Sequence, residues 1–382
     1  MIDRRRNEFP TLASGIHLLS HSLGPLPRAT RDSMLEYCEA WEYHTNEDAW
    51  ATNWWELTQF VGDQIVAILG GVPGSVQIQP NASIALATVA SCFDFKNSQR
   101  RKVVTTELDF PSMGYIWEAQ QQAGAVLEVV KSDDGISVQL EKILDALDSN
   151  TCLVALSHTS YRSSYRVNAS AIVDHAHAKG ALVLMDVYQS AGVLELEAAK
   201  WKVDFLIGGT IKWLLGGPAC GYLYVRPEIQ RDLKPRLTGW VAHHSPFEFA
   251  DPPMRYARSV RRFAQGTPSI PALYSAMPGL KIISEVGIKQ IAQESQRRTQ
   301  LIIEYALDHD LKINTPLEQS MRGGSVMIGV DDGQAMVERL AAKKVFVDSR
   351  PQAGLRISPH FFNTDEEVTE AMNIIAETVG RK

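Results

Sequence analysis

The sequence predicts an α/β protein with one large and one smaller domain, and three observations carry that expectation. Ala181–Met185 and Cys152–Leu156 are unbroken apolar runs, which suits strands covered on both faces of a sheet. Each run ends on polar residues: Asp186 after the first, Ser157 to Ser163 after the second. Ligands of open α/β sheets sit beyond the carboxyl ends of the strands, where these residues fall. Finally, 382 residues with 45% hydrophobic and 21% charged side chains exceed one ordinary core.

In chain order, Ile16 to Leu19 reads as a short strand. A helix follows Pro27, with Met34, Leu35, Cys38 and Trp41 at helical spacing. Trp41, Trp50, Trp54 and Trp55 come next and read as core or subunit-interface rings. A helix from Trp55 to Leu69 stops at Gly70-Gly71. Val76 to Ile78 is strand-like, and Pro80-Asn81 turns the chain into a helix starting at Ala82. That helix start, around Asn81, Ala82 and Ser83, offers unpaired N–H groups to a phosphate; plain N-capping is the alternative. Lys102 to Thr106 forms a further strand, leading into Phe110. From Ser269 the pattern turns helical. Short strands at Ser325–Val330, Val345–Asp348 and Gly354–Ser358 then complete a smaller α+β unit.

The stretch Val203 to Val225 is the most informative. Phe205 to Ile207 is an apolar run broken by Gly208-Gly209; Thr210 and Lys212 follow, and Gly216-Gly217-Pro218 breaks the chain again before Tyr222 to Val225. A hairpin with a solvated lysine is one reading. However, Ile211, Trp213, Leu214 and Leu215 surround Lys212 with apolar side chains. A desolvated amine has a lowered pKa and attacks aldehydes to form a Schiff base. Asp186 ends the preceding strand, close enough in sequence for one helix and one strand between them. An acid and an amine at neighbouring strand ends suit pyridoxal 5'-phosphate, which needs a lysine for its aldehyde and an anion for its pyridinium nitrogen.

With those residues in view, the chain resembles the class V aminotransferase family of pyridoxal-phosphate enzymes, in its kynureninase-like and isopenicillin-N-epimerase-like branch. The resemblance rests on Asp186 to Gly192 and Val203 to Pro218, with Leu18–Pro27, Gly239–Phe247, Arg262–Ile270 and Leu355–Thr364 matching in order. It implies a fold-type I architecture: a large domain over residues 46–270 with a mostly parallel seven-stranded sheet between helices. Residues 1–45 and 271–382 would then form the small domain with the N-terminal segment. It implies cofactor contacts from Asn81, Ala82, Ser83, Phe110, Ser160, Asp186, Gln189, Thr210 and Lys212, with Lys212 and Asp186 catalytic. It also implies a homodimer with shared sites, Trp240 and Thr267 reaching the neighbouring subunit's cofactor. Arg356 would take the amino-acid substrate's carboxylate as a planar fork, with His21, Tyr161 and Arg162 beside it. His158 shares that loop as a further pocket candidate.

The sequence departs from kynureninases at three positions: Met113 where an acid is usual, Gln189 for histidine and Ile211 for tyrosine. Transamination or α/β-chemistry on a small amino acid is therefore expected ahead of kynurenine hydrolysis, epimerisation or C–S lysis. His360, Phe361 and Phe362 follow Arg356 where cysteine desulfurases carry a reactive cysteine, which disfavours persulfide transfer. A silent cofactor-binding regulatory subunit is the non-enzymatic alternative, and the joint presence of Lys212, Asp186 and Arg356 argues against it. Net charge −6 gives no reason to expect nucleic acid, and no apolar run reaches membrane-spanning length. The four scattered cysteines have no metal-like spacing; they read as buried thiols of a cytoplasmic protein with no metal.

Overall fold

Strands buried on both faces need apolar side chains in both directions, and this chain supplies them. In the computed structural model, which describes residues 5–44 and 49–380, the short strand β1 (Ile16–His17) comes first. β2 (Val76–Gln79), β3 (Lys102–Thr106), β4 (Val126–Val130), β5 (Thr151–Ser157), β6 (Leu182–Asp186), β7 (Phe205–Gly209) and β8 (Gly221–Val225) follow. These seven form one sheet in the order β2-β8-β7-β6-β5-β3-β4. Only β8 runs against its neighbours, β2 and β7; the other pairings are parallel. This is the mostly parallel seven-stranded sheet that the resemblance implied.

The two faces divide the apolar residues with the period of two that a strand imposes. On β6, Val183 and Met185 join the cluster formed with the helices Trp55–Ile68, Ala169–Ala178 and Ile270–Val286. Leu184 points the other way, into the cluster with Leu86 and Val89 of the helix Ala82–Ala90 and Trp117 of the helix Pro111–Gln120. Helices therefore cover both faces. The expected division at 270/271 falls at the start of the helix Ile270–Val286, whose Leu273 and Leu280 are buried in the first cluster.

A third cluster gathers Ile16 and Leu18 with Ile302, Ile328, Leu340, Leu355 and Ile375. It packs on β9 (Val326–Ile328), β10 (Val345–Phe346), β11 (Asp348–Arg350) and β12 (Gly354–Ile357). β11, β12 and β9 form an antiparallel sheet in that order, and β1 pairs in parallel with β10. The expected strand from Val345 to Asp348 thus divides between two sheets. The last helix, Asp365–Gly380, opens with a capping box: Thr364 Oγ1 accepts from the amide of Glu367, and Glu367 accepts from the amide of Thr364.

The expectation that all four thiols are buried changes, and Trp41 falls outside the core of this chain. Cys38 is exposed and Cys92 half-buried; only Cys152 and Cys220 are buried. Trp41 is 65% exposed and lies edge-on to Trp54, because the helix Ala29–Tyr43 turns Ser33 and Ala40 inward instead. The expected boundary at 45/46 lies outside the described residues. No described helix is long and apolar enough to cross a membrane, and no described group of His, Cys, Asp and Glu is placed to hold a metal ion.

Candidate active site

The carboxyl ends of β3 and β5 are held together by a residue between β3 and the helix Pro111–Gln120. Asp109 is fully buried. Its Oδ1 accepts from the Ser157 amide at 2.5 Å, and its Oδ2 accepts from Thr105 Oγ1, Thr106 N and Thr106 Oγ1 at 2.7, 2.8 and 3.0 Å. Four donors compensate the burial of one carboxylate and fix the β3 end against the β5 end. The strand register then places Asp186 between Ser157 of β5 and Ile207 of β7.

Lys212 follows β7. Its loop is closed by Gly216 N to Thr210 O (2.9 Å) and by Thr210 N to Cys220 O (3.1 Å). The N-terminal segment packs on this loop at Gly24, whose amide donates to Ile211 O at 2.9 Å. A Cβ at Gly24 would lie 2.2 Å from the Lys212 carbonyl oxygen, so only glycine fits there.

A cavity of about 270 Å³ opens between these ends. Lys212 and Asp186 line it, and Phe110, Tyr161 and Tyr188 supply aromatic walls. The Lys212 amine lies 4.2 Å from the Tyr188 ring centroid and 5.8 Å from that of Phe110. Among the described residues it makes no hydrogen bond or close ion pair. Burial lowers its pKa to about 8, against the opposing pull of Asp186 and with help from Arg356. Burial likewise raises Asp186 to about 6, while the Tyr188 amide (2.8 Å) and Lys212 favour its charged form.

Asn81, Ala82 and Ser83 also line the cavity. Asn81 caps the helix Ala82–Ala90, its Oδ1 accepting from Ile84 N at 2.9 Å, so the capping reading holds as well. The helix start packs against Gly221, where a Cβ would lie 2.6 Å from the Asn81 backbone. The cavity therefore presents a half-buried amine free of hydrogen bonds to the described residues, a carboxylate and a helix N-terminus. Those three features fit an aldehyde-bearing ring with a basic nitrogen and a phosphate, which is pyridoxal phosphate.

Several expected residues lie elsewhere. Ser160 does not line this cavity: its hydroxyl bonds Leu108 O at 3.2 Å and accepts from Arg162 N, and neighbouring Thr159 faces the cavity instead. Thr210 spends its hydroxyl on Gly217 O at 3.0 Å. Gln189 lines the cavity, but its amide is committed at both ends, to His21 O and to Trp213 Nε1, each at 3.1 Å. Met113 also lines the cavity, buried, with its sulfur 3.3 Å from Trp117 Nε1. His158 is turned from the cavity toward Ser190 Oγ at 2.7 Å and the Trp201 ring, and burial lowers its pKa to about 3. Thr267 lines a separate cavity of about 520 Å³ with Trp55, against which Trp240 packs.

Arg356, His21 and Arg162 do not line the cavity either. Arg356 is buried and paired through Nε and Nη2 with both oxygens of Asp348, at 2.8 and 2.5 Å. Its Nη1 reaches the carbonyl of Tyr161, a cavity residue, at 3.1 Å. His21 Nε2 lies 2.8 Å from Asp348 Oδ1. Arg162 is engaged by Gln352 at 2.9 Å. Sequence reasoning missed Asp109, Thr159 and Asp348. Asp109 carries the same signal as Asp186, an acid just beyond a strand; Asp348 carries none, because the β11–β12 pairing brings Arg356 to it and His21 comes from 327 positions away.

Residues 76–370 match the family model described as aminotransferase class-V. An uncharacterized aminotransferase, YcbU, of Bacillus subtilis (strain 168) is 31% identical over 377 residues, covering 98% of this chain and 97% of that protein. A kynureninase of Pseudomonas fluorescens is 28% identical, covering 99% and 92%. The fold matches a cysteine desulfurase from Thermococcus onnurineus NA1 with a TM-score of 0.87 at 20% identity, over 98% of this chain and 97% of that one. It also matches the cystine C–S lyase C-DES with a TM-score of 0.87 at 19% identity, over 97% and 99%. One C-DES structure carries glycine covalently linked to its pyridoxal-phosphate cofactor.

Proposed function

Because the chain belongs to the class V aminotransferase family, we propose that it is a pyridoxal-phosphate enzyme acting on the amino group of a small amino acid by transamination or α/β-chemistry. The observation that carries this reading is the Lys212 amine, half-buried, without a hydrogen bond among the described residues and lowered to about 8, in one cavity with Asp186. When bound, the cofactor supplies an aldehyde that joins the substrate amine and a ring that withdraws electrons from it. The chain's own residues do the rest. Lys212 would hold the aldehyde, and its amine is the base placed to move the substrate's α-proton. Asp186 keeps a proton on the ring nitrogen, and its low-dielectric site makes that charge effective. The amides at Ala82 and Ser83 would hold the phosphate, Phe110 would pack on the ring, and Arg356 would receive the substrate carboxylate.

Kynurenine hydrolysis is the second reading, favoured by the 28% identity to a kynureninase. It stands behind the first because Ile211 has no proton to give, Met113 is packed on Trp117 and Gln189 is committed at both ends. Persulfide transfer has no support, since no cysteine lines the cavity and Cys220 is pushed up to about 12 by burial. Trp240, exposed beside Trp55, and Thr267 fit a dimer in which each reaches the other subunit's cavity. The test is spectroscopic. Purified protein should be yellow with pyridoxal phosphate, and borohydride should leave a reduced adduct on Lys212. A panel of amino acids including L-kynurenine then identifies the substrate. Protein that stays colourless sinks the assignment, and turnover of kynurenine at several per second would put the second reading first.

A further inference from the structure

Arg356 is not a free fork. Of its five N–H donors, Nε–H and one on Nη2 go to the two oxygens of Asp348, at 2.8 and 2.5 Å. One on Nη1 goes to Tyr161 O at 3.1 Å. One N–H remains on each terminal nitrogen, and Nη1 already reaches a residue of the cavity wall. Asp348 is itself saturated. Its Oδ1 faces Arg356 Nε and His21 Nε2, and its Oδ2 faces Arg356 Nη2 and Arg350 Nη1 at 3.1 Å. Asp348 only accepts, which assigns the ring proton of His21 to Nε2, with Ser358 Oγ at its Nδ1.

We propose that Asp348 is a positioning residue for substrate selection: it holds Arg356 by its Nε/Nη2 side and so turns the terminal Nη1/Nη2 edge toward the substrate's α-carboxylate. This rests on the function proposed above. The opposite arrangement would make Asp348 an internal anion that the substrate must displace. Displacement would break both bonds of the carboxylate to a guanidinium only 3% exposed, whereas one N–H on each terminal nitrogen is unspent. The side grip also removes the rotational freedom of a long side chain before substrate arrives, so less is lost on binding. His21 and Arg350 hold Asp348 from both sides. With the charges of Arg356 and Asp348 offsetting, Arg350 leaves one net positive charge in the cluster, which suits a monoanionic carboxylate.

The experiment uses the holoenzyme and two probes that differ only in the carboxylate, L-alanine and ethylamine. Each is titrated against the visible absorbance of the lysine-bound chromophore. Wild type should bind L-alanine more tightly than ethylamine. Asp348→Asn should remain folded and yellow and lose about tenfold of that selectivity, through weaker L-alanine binding and not through ethylamine. Unchanged selectivity overturns the proposal, and increased selectivity would show that Asp348 competes with substrate. Because Asp348→Asn could fail to fold, crystals of wild-type holoenzyme soaked in L-alanine give a second test. The alanine carboxylate should sit on Nη1 and Nη2 with Asp348 still in place, and a carboxylate replacing Asp348 overturns the proposal. Absorbance that responds to neither probe instead overturns the functional reading beneath it.

Discussion

Removing the charge of Asp186 should make Lys212 a better nucleophile while leaving the enzyme a worse catalyst. The Lys212 pKa of about 8 is set by burial, which lowers it, against Asp186, which raises it. At pH 7 an amine of pKa about 8 is free in about one molecule in eleven, against about one in three thousand for an ordinary lysine. Asp186→Asn keeps the size of the side chain and an oxygen for the Tyr188 amide, so burial is unchanged and only the charge is lost. Two unit charges about 12 Å apart at an effective dielectric of about 20 interact by about 1.4 kcal/mol, one pKa unit, and neighbouring strand ends lie within that range. The Lys212 pKa should therefore fall to about 7 or below. The assay is the pH dependence of trapping by 4-nitrobenzaldehyde and cyanoborohydride on cofactor-free protein, with the adduct located on the Lys212 peptide. This aldehyde has no pyridine nitrogen, so Asp186 acts on it only through the lysine. The wild-type midpoint should lie near 8 and the variant's about one unit lower. A midpoint that stays or rises would refute the electrostatic coupling, whatever turnover does. Turnover of the loaded variant should drop by orders of magnitude, because the ring nitrogen loses its anion.

Gly221→Ala brings a Cβ to 2.6 Å from the Asn81 backbone and must push the helix start away. The variant should lose affinity for pyridoxal phosphate and keep its affinity for pyridoxal, read by fluorescence titration; an unchanged ratio would remove the phosphate role from Asn81–Ser83. Asp109→Asn puts an amide NH₂ where donors already point, leaving buried N–H groups unmet. It should destabilise the fold by about 1–3 kcal/mol in denaturant melts, and an unchanged midpoint would remove its bracing role.

That Lys212 and Asp186 come together at the strand ends was legible because their signals are local. Glycines around a lysine in an apolar run, and an acid at the end of a buried strand, state their surroundings within a few residues. The parallel sheet was legible for the same reason: helices on both faces demand continuous apolar strands, and Leu182 to Met185 shows that pattern directly. Side chains whose roles depend on the direction of one hydrogen bond were not. Ser160 and Thr210 carry hydroxyls that serve a cofactor or a loop equally well, and the fold turned both to backbone carbonyls. Arg356 was visible as a guanidinium between apolar neighbours, but not its partner. Asp348 meets Arg356 across the β11–β12 ladder and His21 from 327 positions away, in the N-terminal segment. Chain composition and periodicity thus establish which residues are buried and where strands end, because burial is a property of short segments. Only the closed tertiary structure decides which donor meets which acceptor, because those partners are far apart in sequence and an angle or an ångström separates a cavity wall from the core.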